Sequence, residues 1–580
     1  MTTDYDIAII GSGIAGSSLG AILARHGQRV VIFEAKSHPR FAIGESMILE
    51  TSETMRALAE LYDVPEMAYF SSENYMAHIG TSHGVKRHFG FLHHSEGQAH
   101  NPQHTLQAVI PKEPHGHELH LYRQDTDYFM MTTAMTYGAT VLQNTPISDV
   151  VFGTQTGKQI DMQTDDAPIQ IATQDGRTIT AKYIVDAGGY RSIIANKFNL
   201  RDTNLQTHSR AIFTHMVNIP CVHTIVGSNK DYGIPFRMCE GTLHHVFEGG
   251  WLWVIPFDNH AKSTNPLCSV GLMLDPRVHP QRDDLTPEAE FFAFIKRFPT
   301  LHEQLSDGKA VRTWTRAPRI QYTSKQMVGD HWSLLGHAAG FIDPLYSKGL
   351  YISLTSVSVL ADLLLQAAET GDYSAETFAP LETVTQNFIK TNDRLVANSY
   401  KSFSDYRLWQ LYAVLWLMGA YTEYVKLNAI RALTLDDPHA YYQEISALWL
   451  AGGGYDGFVK VADQVDTIME RINPDVEGEV QEAVEQIKTI FAGVEWMPKP
   501  FNALIKGERA LPKNKLRLGL LKKDEGFLGK GDYRQHFFAN ATASEMLRVF
   551  AKEKLKYSTW ALNWQRRLNY RQRTNALVPS

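Results

Sequence analysis

The chain has 580 residues, of which 44% are hydrophobic and 20% charged, so it can bury two or three folded domains and is not a disordered protein. Its net charge of −6 offers no excess of positive charge for nucleic acid. Three cysteines without metal-like spacing predict no disulfide framework, no metal site and a reducing compartment, by default the cytoplasm: Cys221, Cys239 and Cys268.

The sequence predicts neither an export signal nor a membrane span. MTTDYDIAIIGSG lacks a basic start and a cleavable apolar segment. Later apolar runs such as ISLTSVSVLADLLLQAA are too interrupted by polar residues to cross a bilayer, and we expect them to form buried helices.

The first segment of the chain alternates as a βαβ unit. YDIAII predicts a buried strand, SSLGAILARHG a helix and RVVIFEA a second strand, with the glycine turn GSGIAG after the first strand. In this turn Gly11 permits the tight bend, Gly13 lets a pyrophosphate approach the backbone, and Gly16 lets helix and strand pack closely. Glu34 closes the second strand, where an acid binds a ribose hydroxyl, which favours FAD or NAD over NADP.

Farther along, strand-like runs and then helical periodicity divide the chain. HHVFEG, WLWVIPF and CSVGLML predict a largely antiparallel second sheet, DHWSLLG returns to the first domain as a strand, and helical patterns dominate beyond residue 372. The predicted fold class is α/β, with a Rossmann-like domain, an interleaved antiparallel sheet domain for the substrate and a C-terminal helical domain. The predicted boundaries are 1–75, 120–205 and 325–371 for the first domain, 76–119 and 206–324 for the second, and 372–580 for the third.

Further segments indicate which dinucleotide is bound. HPRFAIGES, LYRQDTDYF, YIVDAGGYRS and GHAAGFIDP, in this order, resemble the flavoprotein monooxygenase fold, which implies one FAD along the chain's return to its first domain. His337 stands where many such proteins have an aspartate for the ribityl chain, and imidazole can make a similar hydrogen bond. Beyond the three glycines and Glu34, the implied FAD-binding residues are Ile14, Ala15, Arg40, Ile43, Gly44, Arg123, His337 and Asp343.

Two short signatures narrow the resemblance to the flavin-dependent halogenases. WLWVIP matches their WxWxIP motif, and FIDPLYSKG resembles their FxxPxSxG motif with one extra residue between proline and serine. Over roughly residues 4 to 430 the chain is most similar to the phenol-acting branch. Two indoles at this spacing share one strand face and would otherwise be read as core side chains. The resemblance implies a tunnel between flavin and substrate at Trp251, Trp253, Ile255 and Pro256, and halide binding by the backbone at Ser347 and Gly349.

GTSHGVKRHFGF resembles the lysine strand of this family and places Lys86 at the functional lysine. The resemblance implies that FADH2 and O2 give a C4a-hydroperoxide, that halide attacks it, and that the lysine holds or captures the hypohalous acid, by hydrogen bonding or as a haloamine. A lysine without this context would be expected on the surface. His88 is expected on the same strand face, where it either tunes Lys86 or caps a polar patch.

The expected substrate follows from a departure at Tyr346, where tryptophan halogenases have a glutamate. A free phenol or another electron-rich aromatic small molecule is expected, because a phenol hydroxyl activates its own ring, and free tryptophan is not. AGGGYDG near residue 452 reads as a turn between helices, so no second glycine fingerprint is present and a separate flavin reductase is expected to supply FADH2. Two alternatives stay open: a single-component hydroxylase using FAD and NADPH, and a flavin-binding protein without turnover.

The segment NSYKSFSDYRLWQLYAVLWLMG predicts an aromatic stripe along one helix face. Such a stripe is either core between the helical and flavin domains or a wall over the substrate cavity. The basic run QRRLNYRQR is expected to be a solvated helix face, and residues 430–580 receive no role. The stripe comprises Tyr400, Phe403, Tyr406, Trp409, Tyr412 and Trp416.

Overall fold

The computed structural model describes residues 3–112, 116–156, 159–161, 168–228, 230–434, 437–497 and 501–510, together with residues 532, 535, 536, 544, 548, 551, 552 and 555. The basic run QRRLNYRQR lies outside these described residues.

Within the described residues the strands, in chain order, are β1 (Tyr5–Ile10), β2 (Val30–Phe33), β3 (Gly84–Lys86), β4 (His88–His93), β5 (Thr105–Val109), β6 (Glu118–His120), β7 (Thr140–Leu142), β8 (Ile147–Val151), β9 (Thr154–Thr156), β10 (Gln159–Asp161), β11 (Ile169–Thr173), β12 (Thr178–Asp186), β13 (Arg201–Asp202), β14 (Arg210–Val217), β15 (Thr242–Phe247), β16 (Gly250–Pro256), β17 (Cys268–Leu274), β18 (Lys309–Ala310), β19 (Thr315–Ala317), β20 (Thr323–Ser324), β21 (Val328–Gly329) and β22 (Trp332–Leu334). The α-helices are α1 (Ile14–Arg25), α2 (Leu49–Leu61), α3 (Ser72–His78), α4 (Arg123–Thr136), α5 (Ile193–Lys197), α6 (Pro287–Ile295), α7 (Pro299–Leu305), α8 (Gly349–Thr370), α9 (Ala375–Ser402), α10 (Tyr406–Thr434), α11 (Pro438–Ser446), α12 (Asp456–Arg471), α13 (Glu477–Ala492) and α14 (Phe501–Ile505).

The first sheet has a parallel core of the kind found in doubly wound proteins. Strands β22, β12, β1, β2 and β7 run parallel in that order, and β21, β11 and β8 add antiparallel pairs. Both faces of such a sheet are covered, which is why Ile7, Ala8 and Ile9 of β1 are all fully buried. Helix α1 connects β1 to β2, so the predicted βαβ unit is confirmed.

The second sheet contains β18, β14, β17, β16, β15, β4 and β5 in that order, with β19 also on β14. Its pairs are antiparallel except β15 with β4, where Thr242 lies opposite Phe89 in a parallel register. A parallel pair needs a long connection, and here the chain passes through the first domain between β5 and β14. The sheet is therefore mixed rather than purely antiparallel, while the α/β fold class is confirmed. The proposed domain boundaries stay a prediction.

Helices α9 to α14 make up the C-terminal region within the described residues, and α10 contacts both α2 and α9. The aromatic stripe does not lie on one helix, so that prediction is wrong. Helix α9 ends at Ser402 and α10 begins at Tyr406, because the Asp405 carboxylate accepts from the backbone N–H of Arg407 at 2.7 Å and starts a new helix. AGGGYDG forms a 3₁₀ turn at Gly452–Gly454, as predicted.

Helix α8 is long and apolar enough to cross a membrane by length and composition alone. However, 78% of its most apolar window is buried inside the protein, as expected for a core helix. This agrees with the buried helix predicted for ISLTSVSVLADLLLQAA.

The interpretation of the cysteines is wrong in one respect. Cys221 and Cys239 form a disulfide, whereas Cys268 is free and buried. The pairing depends on two turns meeting beside the second sheet, which the spacing of the cysteines does not reveal. Cysteine usage consequently gives no support for a reducing compartment.

Candidate active site

The glycine turn between β1 and α1 has the backbone that a dinucleotide site needs. Gly11 has a φ of 94°, and a Cβ there would lie 2.7 Å from the carbonyl oxygen of Ala187. A Cβ on Gly16 would lie 2.2 Å from the carbonyl oxygen of Gly11, so only glycine fits where the helix meets the turn. Helix α1 begins here with Gly13 as its N-cap, followed by Ile14 and Ala15.

Glu34 follows β2 beside this turn, and protein neighbours orient its carboxylate. Its Oε2 accepts from the Ser12 hydroxyl at 2.7 Å and from Arg40 Nε at 3.0 Å, and Oε1 accepts from the backbone N–H of Lys36 at 3.0 Å. Burial alone would raise the pKa of Glu34, but Arg40 and these hydrogen bonds outweigh it and leave the pKa below its ordinary value. Such an ionised, oriented acid suits a ribose hydroxyl.

Arg123 fixes the turn that contains Ile43 and Gly44. Its Nη1 donates to the carbonyl oxygens of Ile43 at 2.7 Å and Gly44 at 3.0 Å, and its Nε and Nη2 donate to the Asp127 carboxylate at 2.7 and 3.0 Å. Gly44 has a φ of 96°, a conformation that favours glycine. Arg123 therefore holds protein groups with most of its donors, and its contact with FAD stays a prediction.

His337 and Asp343 lie on the return to the first domain in different surroundings. The Nε2 atom of His337 is buried, has no hydrogen-bond partner among the described residues, and would lie 2.9 Å from a Cβ on Gly349. This nitrogen fits the expected contact with a ribityl hydroxyl. Asp343 instead accepts from the hydroxyls of Ser209 at 2.9 Å and Tyr400 at 3.0 Å, and burial raises the pKa of Asp343 to about 6. Its role toward FAD stays a prediction.

Lys86 is fully buried at the end of β3, which pairs with β6 in a two-stranded antiparallel ribbon, and residues 43–46 lie against this ribbon. Its Nζ donates to Ser46 Oγ at 2.8 Å and to the carbonyl oxygen of Met47 at 2.9 Å, and lies 3.5 Å from Ser347 Oγ. The Phe89 ring centroid is 3.5 Å from the same Nζ. The lysine strand and the second halogenase-like signature therefore meet at one point.

The surroundings of Lys86 hold its pKa well below the ordinary value. Burial is the main cause, the carboxyl groups of Glu118 and Glu50 oppose it, and the Lys348 ammonium adds to it. Glu118 lies opposite Lys86 in the ribbon, and burial raises the pKa of Glu118 to about 6 although the Ser52 hydroxyl donates to it at 2.7 Å. A lysine with a lowered pKa is a better nucleophile at neutral pH than an ordinary lysine.

Whether His88 shares a face with Lys86 stays a prediction. Strand β3 ends at Lys86 and β4 begins at His88, and the two strands belong to different sheets. His88 Nε2 hydrogen-bonds the carbonyl oxygen of Arg237 at 2.9 Å, and its ring stacks on Phe236. Of the two roles considered for His88, this geometry supports the capping of a polar group.

The loop before α8 presents Ser347 and Gly349 beside Lys86. Ser347 has a φ of 57°, in the left-handed region, and its N–H donates to the carbonyl oxygen of Pro344 at 2.9 Å. Gly349 begins the 22-residue helix α8, whose first N–H groups have no partners within the helix and favour an anion. The loop geometry is thus compatible with halide binding, which stays a prediction.

A second buried lysine, Lys348, lies between these two residues and was not predicted. Its Nζ donates to Glu50 Oε1 at 2.6 Å and to Glu423 Oε2 at 3.3 Å. Burial alone would lower the pKa of Lys348, but the two carboxylates outweigh burial and raise it. Ser46 was also missed, although Ser46 lies within HPRFAIGES and Lys348 within FIDPLYSKG, two segments that the sequence analysis singled out. Their neighbours are distant in sequence, which is why the pattern alone did not assign them.

Trp251 and Trp253 lie side by side on β16 and are both buried, with ring centroids 5.7 Å apart. The interpretation as packed core residues is therefore correct as far as packing goes. Ile255 and Pro256 follow them on the same buried strand, and the role of all four as a tunnel stays a prediction. The two indole N–H groups donate to hydroxyls, those of Tyr400 at 3.0 Å and Ser269 at 3.1 Å.

Tyr346, at the position of the tryptophan-halogenase glutamate, belongs to an aromatic wall formed by Phe89, Trp416 and Tyr346. Its ring stacks on Trp416 with centroids 4.5 Å apart, and its hydroxyl is 2.5 Å from Ser399 Oγ. Burial raises the pKa of Tyr346, so the residue is neutral. Trp416 also meets Phe89 edge-on at 5.1 Å, which connects the surroundings of Lys86 to helix α10.

Comparisons with known proteins identify the relatives of this chain. A family model described as an FAD binding domain matches residues 4–372. Tetracycline 7-halogenase of Kitasatospora aureofaciens is 42% identical over 71% of this chain and 72% of its own length. Monodechloroaminopyrrolnitrin halogenase PrnC of Pseudomonas fluorescens is 42% identical over 72% of this chain and 71% of its own length.

A solved structure shows the same relationship to halogenases. The crystal structure of halogenase PltM in complex with phloroglucinol and FAD superposes with a TM-score of 0.81 at 32% sequence identity, covering 87% of this chain and 99% of that one. The match therefore extends well into the helical C-terminal region, beyond the FAD binding domain. From the FAD-binding sequence family, two relatives at 42% identity and this shared fold, the chain belongs to the flavin-dependent halogenases and is an FAD-containing oxidoreductase.

Proposed function

We propose that the protein halogenates a free phenol or another electron-rich aromatic small molecule, and that Lys86 handles the hypohalous acid. The observation that carries the proposal is the position of Lys86 Nζ, buried and 3.5 Å from Ser347 Oγ in the second signature. Ser46 and Met47 occupy its other side, so the amine has a defined direction. When bound, reduced FAD supplies the electrons that convert O2 and a halide into hypohalous acid.

The residues proposed to hold FAD follow the carboxyl ends of parallel strands in the first sheet, namely β1, β2 and β22. The glycine turn leaves room for the pyrophosphate, Glu34 accepts from the adenosine ribose, and His337 Nε2 bonds the ribityl chain. The halide is proposed to bind at Ser347 and Gly349, at the N-terminus of α8.

Lys86 can act in two ways that remain alternatives. Its N–H can donate to the hypohalous acid and polarise it toward the ring, or its lone pair can form a nitrogen–halogen bond with release of water. The burial that lowers the pKa of Lys86 favours the second route, because a neutral amine is the nucleophile. The buried position also keeps bulk water away from a reactive halogen species.

Two observations support a phenolic substrate. Tyr346 provides no carboxylate at the position where tryptophan halogenases have one, and its neutral hydroxyl lies against Ser399. The similar halogenase PltM was solved with phloroglucinol, a phenol. We also propose that a separate flavin reductase supplies FADH2 and that both proteins act in the cytoplasm.

A mass-spectrometric screen tests the proposal. Purified protein with FAD, a generic reductase and NADH is offered simple phenols, resorcinols and tryptophan, each with chloride, bromide or iodide. We expect halogenation ortho or para to the hydroxyl and poor conversion of tryptophan. Efficient, regioselective chlorination of tryptophan would contradict the substrate class. Hydroxylated products, or oxidation of NADPH without the reductase, would contradict the two-component halogenase.

A further inference from the structure

A chain of hydrogen bonds connects Lys86 to the WxWxIP motif. Lys86 Nζ lies 2.8 Å from Ser46 Oγ, which lies 2.9 Å from Thr242 Oγ1, which lies 2.9 Å from His120 Nε2. The other ring nitrogen, Nδ1, lies 2.9 Å from the carbonyl oxygen of Pro256. All the side chains in this sequence of contacts are buried, so water does not compete for them.

The direction of every hydrogen bond follows from the carbonyl at its end. A carbonyl oxygen only accepts, so His120 must donate from Nδ1, and the neutral ring then accepts at Nε2. Burial lowers the pKa of His120 to about 3, which keeps the ring neutral. Thr242 must therefore donate its single hydroxyl proton to His120, and Ser46 must donate its own to Thr242. Ser46 is left with only lone pairs toward Lys86.

This direction matters for the amine. A neutral amine has two N–H groups and one lone pair, and the short contacts to Ser46 and Met47 use both N–H groups. In the neutral form that the lowered pKa of Lys86 favours, the lone pair takes the remaining direction, toward Ser347 Oγ at 3.5 Å, to which an ammonium would donate its third N–H. If the Ser46 hydroxyl turned round, it would donate to the lone pair of Lys86 and block it.

We propose that Ser46, Thr242 and His120 are positioning residues that hold the Ser46 hydroxyl as an acceptor and so direct the reactive side of Lys86 toward Ser347. The proposal rests on the proposed function of Lys86. It also gives the Pro256 carbonyl of the WxWxIP motif a second task, to fix the tautomer of His120. Lys86 and Ser46 are 40 residues apart in sequence, and Ser46 and Thr242 are 196 apart. Short sequence motifs therefore cannot reveal these hydrogen bonds.

The test compares Thr242→Val with Thr242→Ser in the full-length protein with FAD and reductase. Valine keeps the shape of threonine but removes its hydroxyl, whereas serine keeps the hydroxyl. We expect Thr242→Val to lower kcat for halogenation about 10- to 100-fold, the scale for misdirected reacting groups, with little change in KM for the phenol. Halogenated product per O2 consumed should fall in parallel, because reduced-flavin oxidation does not need Lys86. Thr242→Ser should restore most of both quantities.

A matched control is available in the same sheet as Thr242. Thr105 on β5 is fully buried, and its hydroxyl has no hydrogen-bond partner among the described residues, so Thr105→Val should leave halogenation unchanged. Ser46→Ala gives a second break in the chain and should resemble Thr242→Val.

The possible outcomes distinguish failure of the positioning proposal from failure of the proposed function of Lys86. Loss of halogenation in Lys86→Met with full activity in Thr242→Val would overturn the positioning chain alone. Equal losses of halogenation in Thr242→Val and Thr242→Ser would also overturn it. So would a loss of halogenation in Thr242→Val that is fully explained by a lower FAD content. Halogenation that survives Lys86→Met would overturn the proposed function of Lys86 and, with it, the positioning role of Ser46, Thr242 and His120.

Discussion

Two buried lysines lie near Ser347 and differ in their surroundings: Lys348 follows it in sequence, and Lys86 Nζ is 3.5 Å from its hydroxyl oxygen. Lys86 meets a hydroxyl, a carbonyl and an aromatic ring, whereas Lys348 meets the carboxylates of Glu50 and Glu423. Both are nearly inaccessible, with 0% and 2% of their surface exposed, yet the pKa of Lys86 is lowered and that of Lys348 is raised. Burial and nearby carboxyl groups are common to both lysines, but of the two it is Lys348 that donates directly to carboxylates, so these direct contacts account for the difference.

The comparison indicates which lysine can take part in chemistry. A lysine whose hydrogens point at two carboxylates is held as an ammonium and has no lone pair to offer. Lys348 therefore connects the loop before α8 to helices α2 and α10, and Lys86 is left as the amine that can react. Burial and nearness to the second signature are common to both, so neither property alone identifies the functional residue.

The largest effect that separates the two lysines is expected in activity. Lys86→Met should lower halogenation about 10²- to 10⁴-fold, the usual contribution of a positioned proton-transfer group, because nothing then holds the hypohalous acid beside the ring. Reduced-flavin oxidation and FAD content should be unchanged. Product yield per O2 consumed measures the loss. If Lys86→Met keeps most of that yield, Lys86 is not the reactive lysine.

For stability, the larger effect is expected at Lys348 rather than at Lys86. Lys348→Met leaves Glu50 and Glu423 buried without their cation, and we expect a loss of about 3–5 kcal/mol, typical for breaking a buried ion pair. Replacing both acids by glutamine in the same variant should recover much of that loss. Urea unfolding measures both changes, with Lys296→Met, at an exposed lysine, as the control. A loss in Lys348→Met no greater than in Lys296→Met would show that the pair does not stabilise the fold.

The pH dependence of stability gives a finer test. The lowered pKa of Lys86 means that the unfolded chain binds its proton more readily below pH 10.5, so this residue weakens the native protein at pH 7 and less so as pH rises. The stability of Lys86→Met relative to the parent should therefore fall between pH 7 and 10, by at most about 1.4 kcal/mol per pH unit.

Lys348 supplies the contrast within the same pH range. Its raised pKa keeps its stabilisation complete below pH 10.5, and that stabilisation is lost only at higher pH, so the deficit of Lys348→Met should stay constant from pH 7 to 10. Equal pH slopes for the two variants would show that their surroundings do not differ as described.

Short sequence patterns predicted the elements whose structure depends on residues close together in sequence. The βαβ unit, the glycine turn and the helix after Gly349 depend on neighbours in sequence, and each was predicted from a short quoted segment. The contacts that give the site its chemistry do not: Glu423 reaches Lys348 across 75 residues, and Thr242 reaches Ser46 across 196. The same holds for the disulfide. The break at Asp405 was readable, because aspartate is a common helix N-cap, but the aromatic spacing concealed it.

The smallest effect concerns the aromatic wall, which connects the surroundings of Lys86 to helix α10. Trp416 stacks on Tyr346 and meets Phe89, whose ring is 3.5 Å from Lys86 Nζ, so its face belongs to the reactive lysine's neighbourhood. We expect Trp416→Phe to change the ratio of rates between two phenols about 2- to 10-fold, the scale of a lost aromatic contact, with little change in Tm or FAD content. Tyr406 begins helix α10, where its ring stacks on His104, so Tyr406→Phe should keep the parent's ranking. If Trp416→Phe also keeps the ranking, or loses activity only together with Tm, the wall is core packing and helix α10 has no part in selecting the substrate.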